Sequence, residues 1–163
     1  MRFLATVAIL SVIASAELRA QDVGLNLGVA PASAVVQDTA LRSVDITATY
    51  AGKRPVLYEF WATWCENCAA LLPRMEAAYQ KYSGRVDFVV VGVGVNQTLN
   101  SMKRHLAQHP LPFRFYYDNT GAAVRAFEAP ATSYIVVLNA QGRVVYTGLG
   151  PDQDIDAALR RGL

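Results

Sequence analysis

Residues 60–68 read Phe60-Trp-Ala-Thr-Trp-Cys-Glu-Asn-Cys68 and hold the only two cysteines of a 163-residue chain. The run leading into them, Pro55-Val-Leu-Tyr-Glu-Phe-Trp61, is mostly apolar and β-prone, as a central strand covered on both faces reads. The run that follows, from Cys65 to about Tyr82, is rich in helix formers (Ala69, Ala70, Leu71, Leu72, Met75, Ala77, Ala78), contains Pro73, and stops near Ser83-Gly84. The pair therefore lies where a strand gives way to a helix. Three readings compete there: a reactive dithiol, half of a metal site, or a structural staple.

Position favours the dithiol. A sulfur at a helix start meets unpaired backbone N–H groups that stabilise negative charge, so Cys65 is expected to ionise more easily than a free thiol. Cys68, three residues on, falls on the same helix face at about 5–6 Å between Cβ atoms, within reach of a disulfide after slight closure. Cys65 then serves as nucleophile and Cys68 as resolving thiol in thiol-disulfide exchange. Glu59 is the one carboxylate in the apolar strand entering this turn. If buried, its pKa rises toward neutrality and it can take and return the proton of Cys68; the alternative is a solvent-facing Glu59 paired with Lys53 or Arg54. A staple closing only four residues constrains little of the unfolded chain. A metal site needs further ligands, for which His105 and His109, at i, i+4 on a predicted helix, are the candidates; no local feature brings that helix to Cys65, so both read as surface residues.

Outward from the motif, Val44–Tyr50 alternates with period two and reads as a strand, and Ala51–Pro55 as a turn. Val86–Val93 is a second buried strand, Leu99–His109 a helix ending at Pro110, Phe113–Tyr117 a third strand, and Ala122–Phe127 a short helix. Tyr134–Leu138 and Arg143–Thr147 flank Asn139-Ala-Gln-Gly142 as a hairpin. Asp152–Arg161 closes the chain as a helix, acidic early and basic late. Strands alternating with helices, then a hairpin and a helix, predict an α/β sandwich with a mixed sheet. Trp61 is expected in the core and Trp64 exposed.

The first residues combine Arg2, an apolar run over Phe3–Ala14, and small residues at Ala14-Ser-Ala16 and near Ala20. This pattern predicts a secretory signal peptide over 1–20, cleaved after Ala16 or Ala20, because about a dozen apolar residues fall short of the roughly 20 a bilayer requires. Residues 21–43 read as a loose lead-in to a domain over 44–163. Export allows disulfides to form. A formal net charge of +2 gives no sign of nucleic-acid binding, and the sequence contains no phosphate loop or Ser-His-Asp set.

With these residues quoted, the chain resembles the thioredoxin superfamily, and most closely the exported TlpA/ResA-type thiol-disulfide oxidoreductases. Phe60–Cys68 is similar to that group's F-W-A-x-W-C-x-x-C, and Pro73 falls where thioredoxins carry their helix-kinking proline. The resemblance implies a thioredoxin-like three-layer sandwich with a helix-strand insertion over about 98–117. It implies a periplasmic enzyme with no cofactor beyond the Cys65–Cys68 disulfide, acting on protein thiols and disulfides, Trp64 contributing to substrate contact. It favours a monomer working as a reductant fed by a membrane-bound electron donor. It makes Pro130 the counterpart of the cis-proline that faces the dithiol and holds substrate backbone, although the stretch from Pro130 to Gly142 is longer than usual. Asn67 replaces a common proline, Glu59 stands where thioredoxin has a buried Asp, and Leu71 stands where ResA-like proteins carry a Glu. A copper or zinc carrier on the same scaffold is the alternative function; the Pro-x-x-x-Thr-x-x-Cys pattern of thiol peroxidases is absent.

Overall fold

The computed structural model describes residues 23–163. The signal-peptide reading of 1–20 lies outside them. Among the described residues, the elements in chain order are β1 (Val35–Gln37), β2 (Ser43–Asp45), α1 (Ile46–Tyr50), β3 (Val56–Trp61), α2 (Glu66–Tyr82), β4 (Asp87–Val93), α3 (Leu99–Gln108), β5 (Arg114–Asp118), α4 (Ala122–Ala126), β6 (Tyr134–Leu138), β7 (Val144–Gly148) and α5 (Ile155–Arg160). The strands form one mixed sheet in the order β2-β1-β5-β4-β3-β6-β7. All six residues of β3 are buried because the strand pairs parallel with β4, pairs antiparallel with β6, and is covered on both faces.

Side chains alternate across that strand. Tyr58 and Phe60 pack on Phe127, at ring separations of 4.8 and 5.6 Å, and Tyr58 also meets Tyr50 of α1 edge-on. Trp61 meets His105 of α3 on the other face, at 5.6 Å. Helix α5 is tied to the end of α2 through Asp156, which accepts from Lys81 Nζ at 2.6 Å and from the Tyr82 hydroxyl at 2.7 Å. Helices α1 and α4 thus cover one face, and α2, α3 and α5 the other. This is the three-layer, thioredoxin-like α/β arrangement with its helix-strand insertion, here α3 and β5.

Two expectations need correction. Residues 44–50 were expected as a strand, yet only Val44 and Asp45 belong to β2; the rest is α1. Asp45 Oδ1 accepts from Thr47 N at 3.0 Å and Ala48 N at 3.1 Å, capping a helix whose Ile46 and Tyr50 are buried one turn apart. A cap and an i, i+4 apolar pair are compatible with the same letters as a period-two strand, and the local hydrogen bonds decide the outcome. The lead-in of 21–43 is likewise not loose throughout. Val35–Gln37 forms β1, pairing antiparallel with β2 and, through Gln37 and Tyr117, with β5.

One glycine positions the insertion. Gly92 of β4 is the register partner of Trp61, and a Cβ there would lie 2.7 Å from the Phe115 ring and 2.8 Å from Met102 Sδ. Without that Cβ, α3 seats its fully buried Met102 against the sheet, one turn before His105.

Candidate active site

The strand β3 ends at Trp61, and the next four residues turn the chain into α2. Cys65 is the N-cap of that helix, and its Sγ accepts from Cys68 N at 3.0 Å. The two cysteines are joined as a disulfide, with Cα atoms 5.2 Å apart. Cys65 keeps 7% of its surface exposed and Cys68 1%. That asymmetry suits an outer sulfur that meets substrate and an inner one that resolves. The same helix N-terminus that hydrogen-bonds Cys65 Sγ would stabilise its thiolate once the bond is reduced.

Glu59 is buried, with 2% of its surface exposed, and its Oε1 has no hydrogen-bond partner. Neither base considered for it is engaged there: Arg54 pairs with Asp87, with Nε 2.8 Å from Oδ2, and Lys53 Nζ donates to Thr49 O. Desolvation alone pushes the Glu59 carboxyl up from 4.5 to about 8. A carboxyl held protonated near neutral pH is chemically able to give up a proton, and Glu59 lies two residues before the end of the strand that leads into the dithiol turn.

Two contacts fix the motif loop from outside. Gln97, in the β4–α3 loop, accepts from Thr63 N at 3.0 Å and Thr63 Oγ1 at 2.9 Å, while its Nε2 donates to Val93 O at 2.6 Å. Trp64 Nε1 donates to Val95 O at 3.0 Å. Trp61 is buried, whereas Trp64 and Val95 are 48% and 58% exposed and form an apolar rim beside Cys65. Sequence reasoning placed both tryptophans correctly and missed Gln97, for which no periodicity or motif gives a signal.

Pro130 is not where the resemblance put it. No peptide bond among the described residues is cis, and Pro130 is exposed, four residues before β6 begins. The residue that closes onto the end of β3 is Ser133, buried with φ of 63°, whose N–H donates to Phe60 O at 2.8 Å. Cys68 Sγ lies 3.9 Å from that same carbonyl oxygen. The register pairs Phe60 with Tyr134, which sets Ser133, the residue just before it, at the end of β3 where the dithiol turn begins. The unusual length of the Pro130–Gly142 stretch was the signal for this shift.

Of the two histidines expected at the surface, only His109 is fully there. His105 is half-buried and His109 exposed, their rings 4.8 Å apart. Both line a cleft of 270 Å³ that Cys65, Cys68 and Trp61 line as well. A right-handed β4-α3-β5 crossover following a right-handed β3-α2-β4 crossover puts α3 on the same face as α2, and that rule could have located them. Among the described residues, no group of three or more His, Cys, Asp or Glu side chains is arranged to hold a metal ion.

This fold, with a Cys-x-x-Cys pair at the start of a helix and a buried carboxyl in the preceding strand, defines a thioredoxin-like protein. The chain belongs to the Redoxin family, whose model matches residues 26–160. It is 32% identical over 85 residues to the thiol:disulfide interchange protein TxlA homolog of Synechocystis sp., covering 52% of this chain and 47% of that protein. It is 23% identical over 111 residues to the thiol-disulfide oxidoreductase ResA of Bacillus thuringiensis subsp. konkukian, covering 68% of this chain and 62% of that one. The chain thus spans about half to three-fifths of the length of these relatives. StoA from Bacillus subtilis superposes with a TM-score of 0.64 at 21% identity, covering 79% of this chain and 96% of StoA. A secreted Mycobacterium tuberculosis disulfide oxidoreductase superposes with a TM-score of 0.63 at 19% identity, covering 78% and 92%. Both are likenesses of fold.

Proposed function

We propose that this protein is a thiol-disulfide oxidoreductase acting on exported protein substrates. The observation that carries the reading is the disulfide between an outer Cys65 at a helix N-terminus and an inner Cys68. In the reduced state, Cys65 thiolate attacks a substrate disulfide, forming a mixed disulfide and releasing one substrate sulfur. Cys68 then gives up its proton, to Glu59 in the fraction of molecules whose carboxyl is ionised, and attacks Cys65 Sγ, which releases the second substrate sulfur and leaves Cys65–Cys68 oxidised. The Trp64–Val95 rim gives an unfolded substrate an apolar surface beside the attacked bond. No cofactor beyond the dithiol enters this sequence of steps.

The chain works as a monomeric reductant in the periplasm, re-reduced by a membrane-bound donor. The signal-like sequence over residues 1–20 supports an exported placement. Pro130 has no part in it; the backbone at Ser133 takes the position at the end of β3 where the dithiol turn begins.

Trapping tests the reading. In the Cys68→Ala variant, Cys65 has no internal partner, so incubation with oxidised glutathione or a disulfide-bonded substrate protein is expected to leave a covalent adduct that dithiothreitol removes. Intact-mass spectrometry that finds no adduct on Cys65 would refute exchange at this site.

A further inference from the structure

The cleft at the disulfide is lined by Cys65 and Cys68 of the motif together with His105 and His109 of α3. At 270 Å³ it has room for a substrate side chain beside these residues. His105 is held by packing: its ring lies 5.6 Å from that of Trp61, which in turn meets Phe115 of β5 edge-on. The cleft lining includes no carboxylate and no Lys or Arg, and Glu59 is not part of it. An entering thiol therefore finds the imidazoles of His105 and the more exposed His109 as the only acid–base side chains lining the cleft apart from the cysteines.

We propose that His105 is a catalytic acid–base group of this cleft, taking the proton of a substrate thiol as that thiol enters against Cys65 and returning it when the thiol leaves. The proposal rests on the exchange reading above and divides proton handling between His105, on the substrate side, and Glu59, on the Cys68 side.

The steps balance. His105 takes the proton of R–SH, and the thiolate attacks Cys65 Sγ. An R–S–S–Cys65 bond forms, the Cys65–Cys68 bond breaks, and its electron pair departs on Cys68 Sγ, which takes the proton of Glu59. The imidazolium and the carboxylate left behind return to their starting states by proton exchange with water. In the opposite direction each step reverses, so His105 protonates the leaving substrate sulfur.

The charge states fit the oxidised form of the structure. Burial, followed by the neighbouring His109, lowers the proton affinity of His105, which favours the neutral ring that can accept; burial raises that of Glu59 to about 8, which favours the protonated carboxyl that can donate. The groups facing His105 are Trp61 from β3, the cysteine pair from α2 and His109 from its own helix, and His109 is the one charged influence among them.

The test compares two thiols attacking the oxidised full chain, with opening of the disulfide followed by tryptophan fluorescence. Glutathione has an ordinary alkyl thiol and needs a base at about pH 7; an aromatic thiol that is already ionised does not. His105→Gln is expected to slow glutathione on the order of tenfold at about pH 7, less than the roughly hundredfold or more usual for acid–base catalysis because water can partly replace a half-exposed imidazole. The aromatic thiol should be unaffected, and the glutathione deficit should close at about pH 9 as the thiol ionises by itself. His105→Phe keeps a ring against Trp61 and should show the same deficit, separating proton transfer from packing. Equal slowing of both thiols, or of neither, would overturn the role of His105. Failure of both thiols to open the bond in the unsubstituted protein would instead refute the exchange reading itself.

Discussion

Replacing Cys65 with serine is expected to lower disulfide exchange by more than about a thousandfold, the scale on which an enzyme loses activity when its nucleophile is removed. Cys65 is the sulfur that is partly exposed, caps α2 and receives the Cys68 N–H. Serine can keep the cap, because its oxygen accepts the same hydrogen bond, so the fold and the thermal midpoint should stay close to those of the reduced protein. Nothing can then replace the reaction. Cys68 is 1% exposed and lies under the turn, so it cannot meet a protein disulfide directly. Turnover of insulin disulfides by the purified variant measures this. Residual activity within tenfold of the unsubstituted protein would mean that Cys68 or another group attacks first.

Glu59→Gln should change both rate and stability, in opposite senses. Burial holds the carboxyl at about 8 against an ordinary 4.5, so the folded chain keeps a proton that the unfolded chain has released over that interval. The contribution of Glu59 to stability is therefore fully present below about pH 4.5 and is lost as pH rises through about 8. At about pH 7 the loss reaches on the order of 3 kcal/mol. Glutamine does not ionise, so denaturant midpoints of the variant should stay flat over the interval in which those of the unsubstituted protein fall. Exchange should slow by about ten- to a hundredfold near neutral pH, with the gap narrowing in alkaline solution where Cys68 ionises unaided. Rates that match the unsubstituted protein from about pH 6 to 9 would remove Glu59 from proton transfer, whatever the stability data show.

The decisive part of this site was legible because it is local. A fully apolar strand, a Cys-x-x-Cys turn and an Ala-rich helix follow one another within 27 residues, from Val56 to Tyr82, and each is specified by its own letters. Burial of Glu59 could be argued from the same run, since a strand covered on both faces leaves its side chains no route to water. What escaped depends on contacts far apart in sequence. Ser133 closes onto the end of β3 because β6 pairs with β3 in a register set by the whole strand, and a nearby proline gave a misleading landmark. Gln97 clamps Thr63 across 34 residues through a side chain that any polar loop could contain. The His105–His109 spacing was visible, but its placement beside Cys65 needed the handedness of two successive crossovers and the small Gly92 beneath Met102. Helix α1 was misread for the opposite reason. Its sequence satisfies two periods at once, and the Asp45 cap selects the helix.

The central claim, that Cys65 and Cys68 form a reversible redox couple, is tested most directly by equilibrating the protein in glutathione buffers of graded redox ratio and quantifying free thiols after acid quench. The expected result is a single two-electron transition in which both cysteines change state together and reversibly, with a midpoint inside the range that glutathione or dithiothreitol buffers reach. A pair that stays oxidised across that whole range, or whose thiols never re-form the bond, would identify the bridge as a structural staple and contradict the proposed function.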